Sequence, residues 1–521
     1  MGLVRIRGRT ARLSPATASP RTAPEVPPPV AGRGRRWLFA LTAVVLLAQM
    51  AIAMVTTAVE QTPTVDEPVY VGAAAVYPGE HDLRYNREHP PLGKLVVAAG
   101  LAFADVRFAE DFTGDQTAFG RHVLYESGND PGKLLLLARL PVIVLTLVFG
   151  LVVLLFARDL TGTAGGLVAL ALYAFSPDLI AHGSLATLDV PAAGFALTSA
   201  WLVRRARGNP RYLPLAGLAL GAALATKVNT LAVVPVVVFL AWHAGRRGRP
   251  VVLMALTAVA VVWASYAAVH PSLPFAELYL EGVRLQLGLE DRVWGGYLFG
   301  THYEGSRWYY LPAALLVKTP LGALVLWAAG VAVMLSRLRQ EALYVLLPAA
   351  VLLAVAMTGN RDLGVRYAIF VPMFLAVAAA SVVLVRRRWA FVAVALVAVS
   401  SLRTFPYYLP YSNEAFGGTA KTHLHLHDSN VDWGQDLGRL AQRLERHRGE
   451  RIWFVHKGAG VPEHYGIHAE DPREVPPERV RGVLVVSDTA IAKADDRLKA
   501  LLAGSTPVDR VGHSITIFRR P

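Results

Sequence analysis

The sequence predicts a polytopic α-helical membrane protein that carries a small C-terminal α/β domain. Three observations predict it. Of 521 residues, 54% are hydrophobic and only 17% are charged, with a mean hydropathy of +0.40, which is more apolar than a soluble chain normally buries. The apolar residues come in stretches that approach the roughly 20 residues needed to cross a bilayer. The arginines gather in short segments between those stretches, so the net charge of +14 is a topology signal and no nucleic-acid partner is expected. Cysteine is absent, which excludes disulfides, thiolate metal sites and cysteine nucleophiles.

Residues 1–36 are rich in Arg, Pro, Ala and Thr, lack hydrophobic periodicity and end in Arg33, Arg35 and Arg36. They are expected to be a disordered basic cytoplasmic tail. The run from Leu38 to Val59 is too long for a signal-peptide core and is taken as an uncleaved first span. Further spans are expected near 134–156, 163–177, 186–203, 212–225, 227–243, 250–269, 311–334, 342–358, 367–385 and 389–405, about eleven helices in a transmembrane domain over 37–405. With the N-terminus cytoplasmic, Arg158, Arg204, Arg205, Arg207, Arg211, Arg246, Arg247, Arg249, Arg337, Arg339 and Arg386 to Arg388 all fall in inside loops. The loops 60–133 and 270–310 and the tail 406–521 then face outward. In that tail, "RIWFVHK" and "GVLVVSD" are expected as strands, with helical spacing over 434–447 and 490–502. They predict an extracytoplasmic α/β domain.

Ionisable groups collect on the outward side. "TPTVDEPVY" places Asp66 and Glu67 at the membrane surface, where a carboxylate within reach of a hydroxyl can act as general base. A solvated acidic pair at a helix end is the alternative. "YNREHPPLGK" holds His89 and Lys94 around two prolines, which fix φ and bias the preceding residues to extended backbone. A proline-rich interfacial loop with a snorkelling lysine competes with that reading. "SPDLIAHGSLATLDVPAAGF" brings His182 and, just inside a span, Asp189, an acid in apolar surroundings that either serves function or rests on a helix N-terminus. Lys227 and Lys318 fall on the same side, and "GNRDLGVRY" adds Arg361 and Arg366, cations suited to phosphate and placed against the charge bias.

In "THLHLHDSN" a strand would put His423, His425 and His427 on one face, where with Asp428 they are candidates for Zn²⁺ or another divalent cation. An exposed histidine-rich strand is the other reading; no cofactor is singled out by the sequence, and a divalent cation is the one candidate. "SNVDWGQDL" resembles a helix start, capped by Ser429 or Asp432, with Trp433 near the membrane surface.

The motifs "DEPVYVGAAAVYPGEHDLRYNREHPPLGKL", "LARLPVIVL", "SPDLIAHGSLATLDVPAAGF", "LATKVNTL", "EGSRWYYLPAALLVKTPL", "GNRDLGVRYAIFVP" and "SNVDWGQDLGRL" run in order from Thr62 to Leu440. Together they resemble the bacterial members of glycosyltransferase family 39, the protein O-mannosyltransferase-like enzymes of the GT-C superfamily. The resemblance implies a phospholipid-carrier-dependent enzyme of the bacterial cytoplasmic membrane. Such an enzyme moves a sugar, with inversion, from a polyprenyl-phosphate donor to a hydroxyl on a lipid, glycan or protein acceptor at the outer face. It also implies Asp66 as base or acceptor-orienting group, with Glu67 beside it, a matching role for Asp189, and donor phosphate held among Lys94, Lys318, Arg361 and Arg366. His89 and His182 would lie beside the substrate. The loop 270–310 is too short for the β-trefoil of the eukaryotic enzymes, so among these acceptors a protein is not singled out. A polytopic transporter or lipid flippase is the rival reading. It would explain the spans but not why the ionisable residues gather on one face.

Overall fold

The structure is a computed structural model that describes residues 1–2 and 33–521, with side chains from Arg36 onward in the second stretch. Nearly all of the expected basic tail lies outside the described residues. The chain is a multi-pass, mostly helical membrane protein ending in a small sheet. Among the described residues four helices are long and apolar enough to cross a bilayer unaided: Arg36–Glu60, Pro131–Ala174, Arg249–Ala267 and Arg339–Ala356. Shorter apolar helices at Tyr212–Thr226, Val228–His243 and Leu321–Arg337 occupy other expected spans.

Two of the expected spans are the arms of the 44-residue helix Pro131–Ala174, which reverses at Gly162. There φ is 79°, a conformation glycine adopts at no steric cost. The arms then pack against each other, and the hydroxyl of Tyr173 donates to the carbonyl of Thr146 at 2.7 Å. The expected span 311–334 is instead two helices, Tyr310–Lys318 and Leu321–Arg337. Pro320 has no amide hydrogen and forces Thr319 into extended backbone (φ −97°, ψ 132°), which ends the first helix at Lys318.

The bundle has two chemically distinct ends. At one, Arg204 and Arg207 pair with Glu341, Arg205 pairs with Asp159, and Arg246 donates to the carbonyls of Ala206 and Arg207. At the other, the segment 60–133 is folded rather than loose. Its helices Glu67–Glu80 and Leu92–Leu101 close a core that includes Val71, Tyr77, Val97 and Phe119. The segment 270–310 contributes the helix Phe275–Glu290 and a hairpin of Gly295–Leu298 with Thr301–Glu304.

The C-terminal region forms a four-stranded sheet. Ile452–Val455 runs parallel to Gly482–Ser487, which pairs antiparallel with Ile515–Arg520, and Thr506–Val511 closes the far edge. Period-two alternation gives each face its own core. Val483 and Val485 meet Leu437, Leu440 and Ile517 on one side, while Leu484 and Val486 meet Trp453, Leu498 and Leu501 on the other. The helix expected from Gly434 starts only at Leu437, and neither Ser429 nor Asp432 caps it: Asp428–Asn430 form a 3₁₀ turn and the residues from there to Asp436 run through turns and bends, with Gly434 at φ 91°.

Candidate active site

Asp66 occupies the N-cap position of the helix Glu67–Glu80, with Pro68 in its first turn, a residue pre-set for helical φ. Its carboxylate makes no cap bond. It accepts instead from Nη1 of Arg366. Arg366 stands in the short turn Val365–Ala368 and lies against two aromatic rings, its guanidinium carbon 4.9 Å from the ring centre of Tyr367 and 4.4 Å from that of Trp433. Its Nη2 donates to the Tyr367 hydroxyl at 3.2 Å, while its buried Nε has no partner among the described residues.

This pair stands beside a cavity of about 470 Å³. Asp189, Lys227, Arg361 and Arg366 line its polar end, and its wall continues over apolar residues such as Leu352 and Phe370. Asp189 is the first residue of the helix Asp189–Ala206, where the positive end of the dipole favours an acid. Lys227 donates to Asp189 Oδ1 at 2.5 Å, and Asp189 Oδ2 is buried without a partner. Arg361 Nε donates to Glu290 at 2.8 Å, tying the helix Phe275–Glu290 to the cavity mouth. An anionic headgroup on an apolar tail matches the two ends of this cavity.

Glu67 points elsewhere, as neighbours at successive helical positions do. It forms a bidentate pair with Arg139 (2.7 and 2.6 Å) and also accepts from the amides of Thr64 and Ala186. Burial alone would raise this carboxyl. The Arg139 charge and the surrounding hydrogen bonds outweigh that and hold it below the usual range. Arg139 spends its remaining donors on the carbonyls of Ala58, Gln61 and Thr62, so the pair fastens the end of the first helix beneath Asp66.

Lys94 and Lys318 are used internally. Nζ of Lys94 donates to the carbonyls of Asn86, His89 and Pro90, knotting the loop that the two prolines stiffen. Nζ of Lys318 donates to the carbonyls of Leu409 and Asn430 and lies 3.3 Å from Asp178. Neither lines the cavity. His89 is buried, and burial with the charges of Lys227 and Lys94 pushes its imidazole well below the usual range, so it stays neutral at pH 7. His182 is fully buried edge-on to Trp433, with ring centres 6.0 Å apart.

The histidine-rich stretch does not form a strand. Residues 419–424 make a 3₁₀ turn, fixed by Thr422 Oγ1 donating to the Pro410 carbonyl at 2.5 Å. The side chains diverge as a result. His423 meets Arg510, His425 the Phe416 carbonyl, and Asp428 Lys493. Among the described residues no group of three potential ligands could hold a metal ion.

Sequence reasoning missed how the C-terminal segment completes the site. Two backbone bonds join residues 62–65 to 433–435: Thr62 N donates to the Gln435 carbonyl and Val65 N to the Trp433 carbonyl, both at 3.0 Å. Asn430 accepts from Val365 N at 3.0 Å, and Ser429 Oγ donates to the Leu363 carbonyl at 2.6 Å. Gly364, at φ 146°, permits this approach, since a Cβ there would lie 2.0 Å from Ser429 Oγ. "SNVDW" is thus a strap that fixes Asp66 on one side and Arg366 on the other. The motif was visible in sequence, but its partners were not.

Residues 132–270 match the family model described as dolichyl-phosphate-mannose-protein mannosyltransferase. This bears out the resemblance to glycosyltransferase family 39. The chain is also similar to ArnT from Cupriavidus metallidurans in the apo state, at 16% identity over 93% of this chain and 97% of that one, with a TM-score of 0.47. The undecaprenyl-phosphate-bound state of the same protein gives 16% identity over 94% and 98%, with a TM-score of 0.46. The Saccharomyces cerevisiae Pmt1–Pmt2 complex bound to its sugar donor matches at 15% identity over 50% and 39%, with a TM-score of 0.31. No curated protein matches the sequence.

Proposed function

We propose that this protein transfers a sugar from a polyprenyl-phosphate carrier to an acceptor hydroxyl, with inversion, at the outer face of a bacterial cytoplasmic membrane. The single observation that carries the reading is the Asp66–Arg366 pair beside a cavity whose polar end gathers Lys227, Arg361 and Arg366, the first two paired with Asp189 and Glu290, and whose wall is apolar. The family description, which names a lipid-phosphate-linked sugar, supports the donor class.

The chemistry follows from the groups present. An acceptor hydroxyl attacks the anomeric carbon, the bond to the carrier phosphate breaks, and the acceptor proton passes to the Asp66 carboxylate. The departing phosphate gains charge, and cations already in place stabilise it without reorganising. Lys227, Arg361 and Arg366 take that part here, in place of the Lys94 and Lys318 suggested by sequence. Arg366 links the two halves of the reaction, because its Nη1 holds the base while its Nε is free for a phosphate oxygen. The apolar wall takes the polyprenyl chain. The cytoplasmic N-terminus and outward C-terminal domain accord with the arginine cluster at the end of the bundle opposite the site.

The test is to incubate membranes containing the protein with a panel of radiolabelled polyprenyl-phosphate sugars. Label should move from one donor to a new product. Absence of transfer from every donor, with substrate-dependent transport by reconstituted vesicles, would favour the transporter reading.

A further inference from the structure

A second, larger groove lies on the far side of the 62–65 and 433–435 pairing, with a volume of about 850 Å³ and no lining residue in common with the active-site cavity. One wall is the end of the first helix, at Val59 and Glu60, together with Tyr407 just past the helix Val383–Thr404. The other is the C-terminal domain, which presents Arg439, Arg443, Arg446 and Arg510 together with His513. Glu60 is the one acidic lining residue.

Three features give the groove a chemistry. Its cations are organised rather than scattered. The polar face of the helix Leu437–Leu444 carries Arg439 and Arg443, four residues apart, and Arg446 follows one turn later while Leu437, Leu440 and Leu444 enter the core. Glu60 apart, which pairs with Arg439 from within the lining, the carboxylates that balance these arginines sit behind it. Asp436, which pairs with Arg439, and Asp488, which pairs with Arg510, are buried, whereas Asp509, the partner of Arg443, is only half-buried. Arg446 is exposed and makes no hydrogen bond among the described residues.

The groove also lies at headgroup depth. Ile52, Val55 and Val59 form one exposed stripe of a membrane-crossing helix, at 65%, 37% and 64% exposure, and that stripe ends in the groove wall. Phe405, 43% exposed, and Tyr407 mark the same level on the neighbouring helix end, where aromatic rings settle at the bilayer interface. Finally, the arginines stand at the end of the bundle opposite the Arg204, Arg205 and Arg207 cluster, against the ordinary charge bias. Snorkelling does not account for them, because they belong to the folded domain and not to a span.

We propose that this groove binds the phosphate headgroup of an acidic membrane phospholipid, whose acyl chains lie along the Ile52–Val59 stripe. Guanidinium groups recognise phosphate oxygens through paired donors, and the adjoining apolar stripe selects a lipid over a soluble anion. Bound lipid would hold the C-terminal domain against the membrane through Arg439, which also reaches Glu60 at the end of the first helix. The site is separate from sugar transfer, so its test reads binding and not activity.

The full-length protein, in nanodiscs of phosphatidylcholine, is titrated with a fluorescent phosphatidylglycerol analogue. The double variant Arg443→Gln/Arg446→Gln should bind it about tenfold more weakly or worse, given the contribution of each surface cation to anionic-lipid binding. The pair Arg443→Lys/Arg446→Lys, which keeps the charge but not the paired donors, should recover only part of the affinity, and wild-type binding should fall as salt is raised. Equal affinity of wild type for zwitterionic and anionic analogues, or unchanged binding by the glutamine variant, would overturn the proposal. Displacement of the analogue by inorganic phosphate at matched concentration would also overturn it, by showing a site for a free anion. Should the glutamine variant fail to fold, the wild-type salt and headgroup dependence decide alone.

Discussion

Nη1 of Arg366 donates to the carboxylate of Asp66 from 300 positions further along the chain. Arg366 is almost fully buried, at 8% side-chain exposure, while Asp66 keeps 27%. The cation is therefore fixed, and its partner can still be reached by a substrate.

Removing that cation should separate charge from geometry. Arg366→Ala should lose donor use by about 2 to 4 kcal/mol, the cost of a charge-assisted contact in a shielded site. Arg366→Lys keeps the charge but not the planar fork, and should recover only part of it. Steady-state kinetics with the identified donor checks both, and wild-type values for both variants would take Arg366 out of the reaction.

The Glu67–Arg139 pair should behave as a fastening. Both side chains are fully buried, so Glu67→Gln or Arg139→Gln leaves an unpaired charge, at a cost of about 3 to 5 kcal/mol in stability. Thermal unfolding in detergent should show a large drop for either single variant. An Arg139→Gln protein that unfolds like wild type would show that the pair bears no weight.

These two pairs also show what the sequence could and could not disclose. The membrane class, the long apolar helices, the clustering of charge at one end of the bundle and the two strands "IWFV" and "GVLVVS" follow from composition and period, which are local properties. Asp66, Asp189, Arg361 and Arg366 were legible as a set because charges against the topology bias need a reason. Their pairing was not, since each partner lies far away in sequence. Lys94 and Lys318 look the same as Arg366 on paper. Only the fold shows carbonyl oxygens surrounding them, and only the fold shows that Arg139, an unremarked residue in "LARLPVIVL", neutralises Glu67. The strands Thr506–Val511 and Ile515–Arg520 escaped notice because charged residues interrupt their apolar pattern.

Trp433 should act as a positioning residue for Arg366. Trp433→Phe retains an aromatic face and should stay near wild type, whereas Trp433→Leu removes the cation–π contact and should raise the donor KM by about tenfold with a smaller effect on kcat. A purely structural role would lower stability without that split. The comparison uses variants of matched unfolding temperature.

Asp432 should give the protein a pH-dependent stability term. Burial pushes its carboxyl up to about 7, against 3.8 as the ordinary value. The folded state then binds a proton that the unfolded chain does not, so this stabilisation is complete below about pH 4 and is lost as pH rises through 7. Burial lowers His427 and His456 to about 4, which acts in the opposite sense over the same window. The Asp432 term is therefore isolated as a difference: relative to wild type, Asp432→Asn should gain stability between pH 5 and pH 8. Parallel unfolding curves at both pH values would refute it.

In the proposed reaction Asp66 takes the acceptor proton. General-base help is worth roughly 10²- to 10⁴-fold, and Asp66→Asn preserves shape while removing basicity and charge. The measurement is turnover by purified wild type and Asp66→Asn with the identified donor, alongside direct titration of donor binding and matched thermal unfolding. Turnover should fall by about 10²-fold or more with donor binding close to normal. An Asp66→Asn enzyme that turns over near the wild-type rate would contradict it and pass the role to Asp189, whose own substitution should then be the inactivating one.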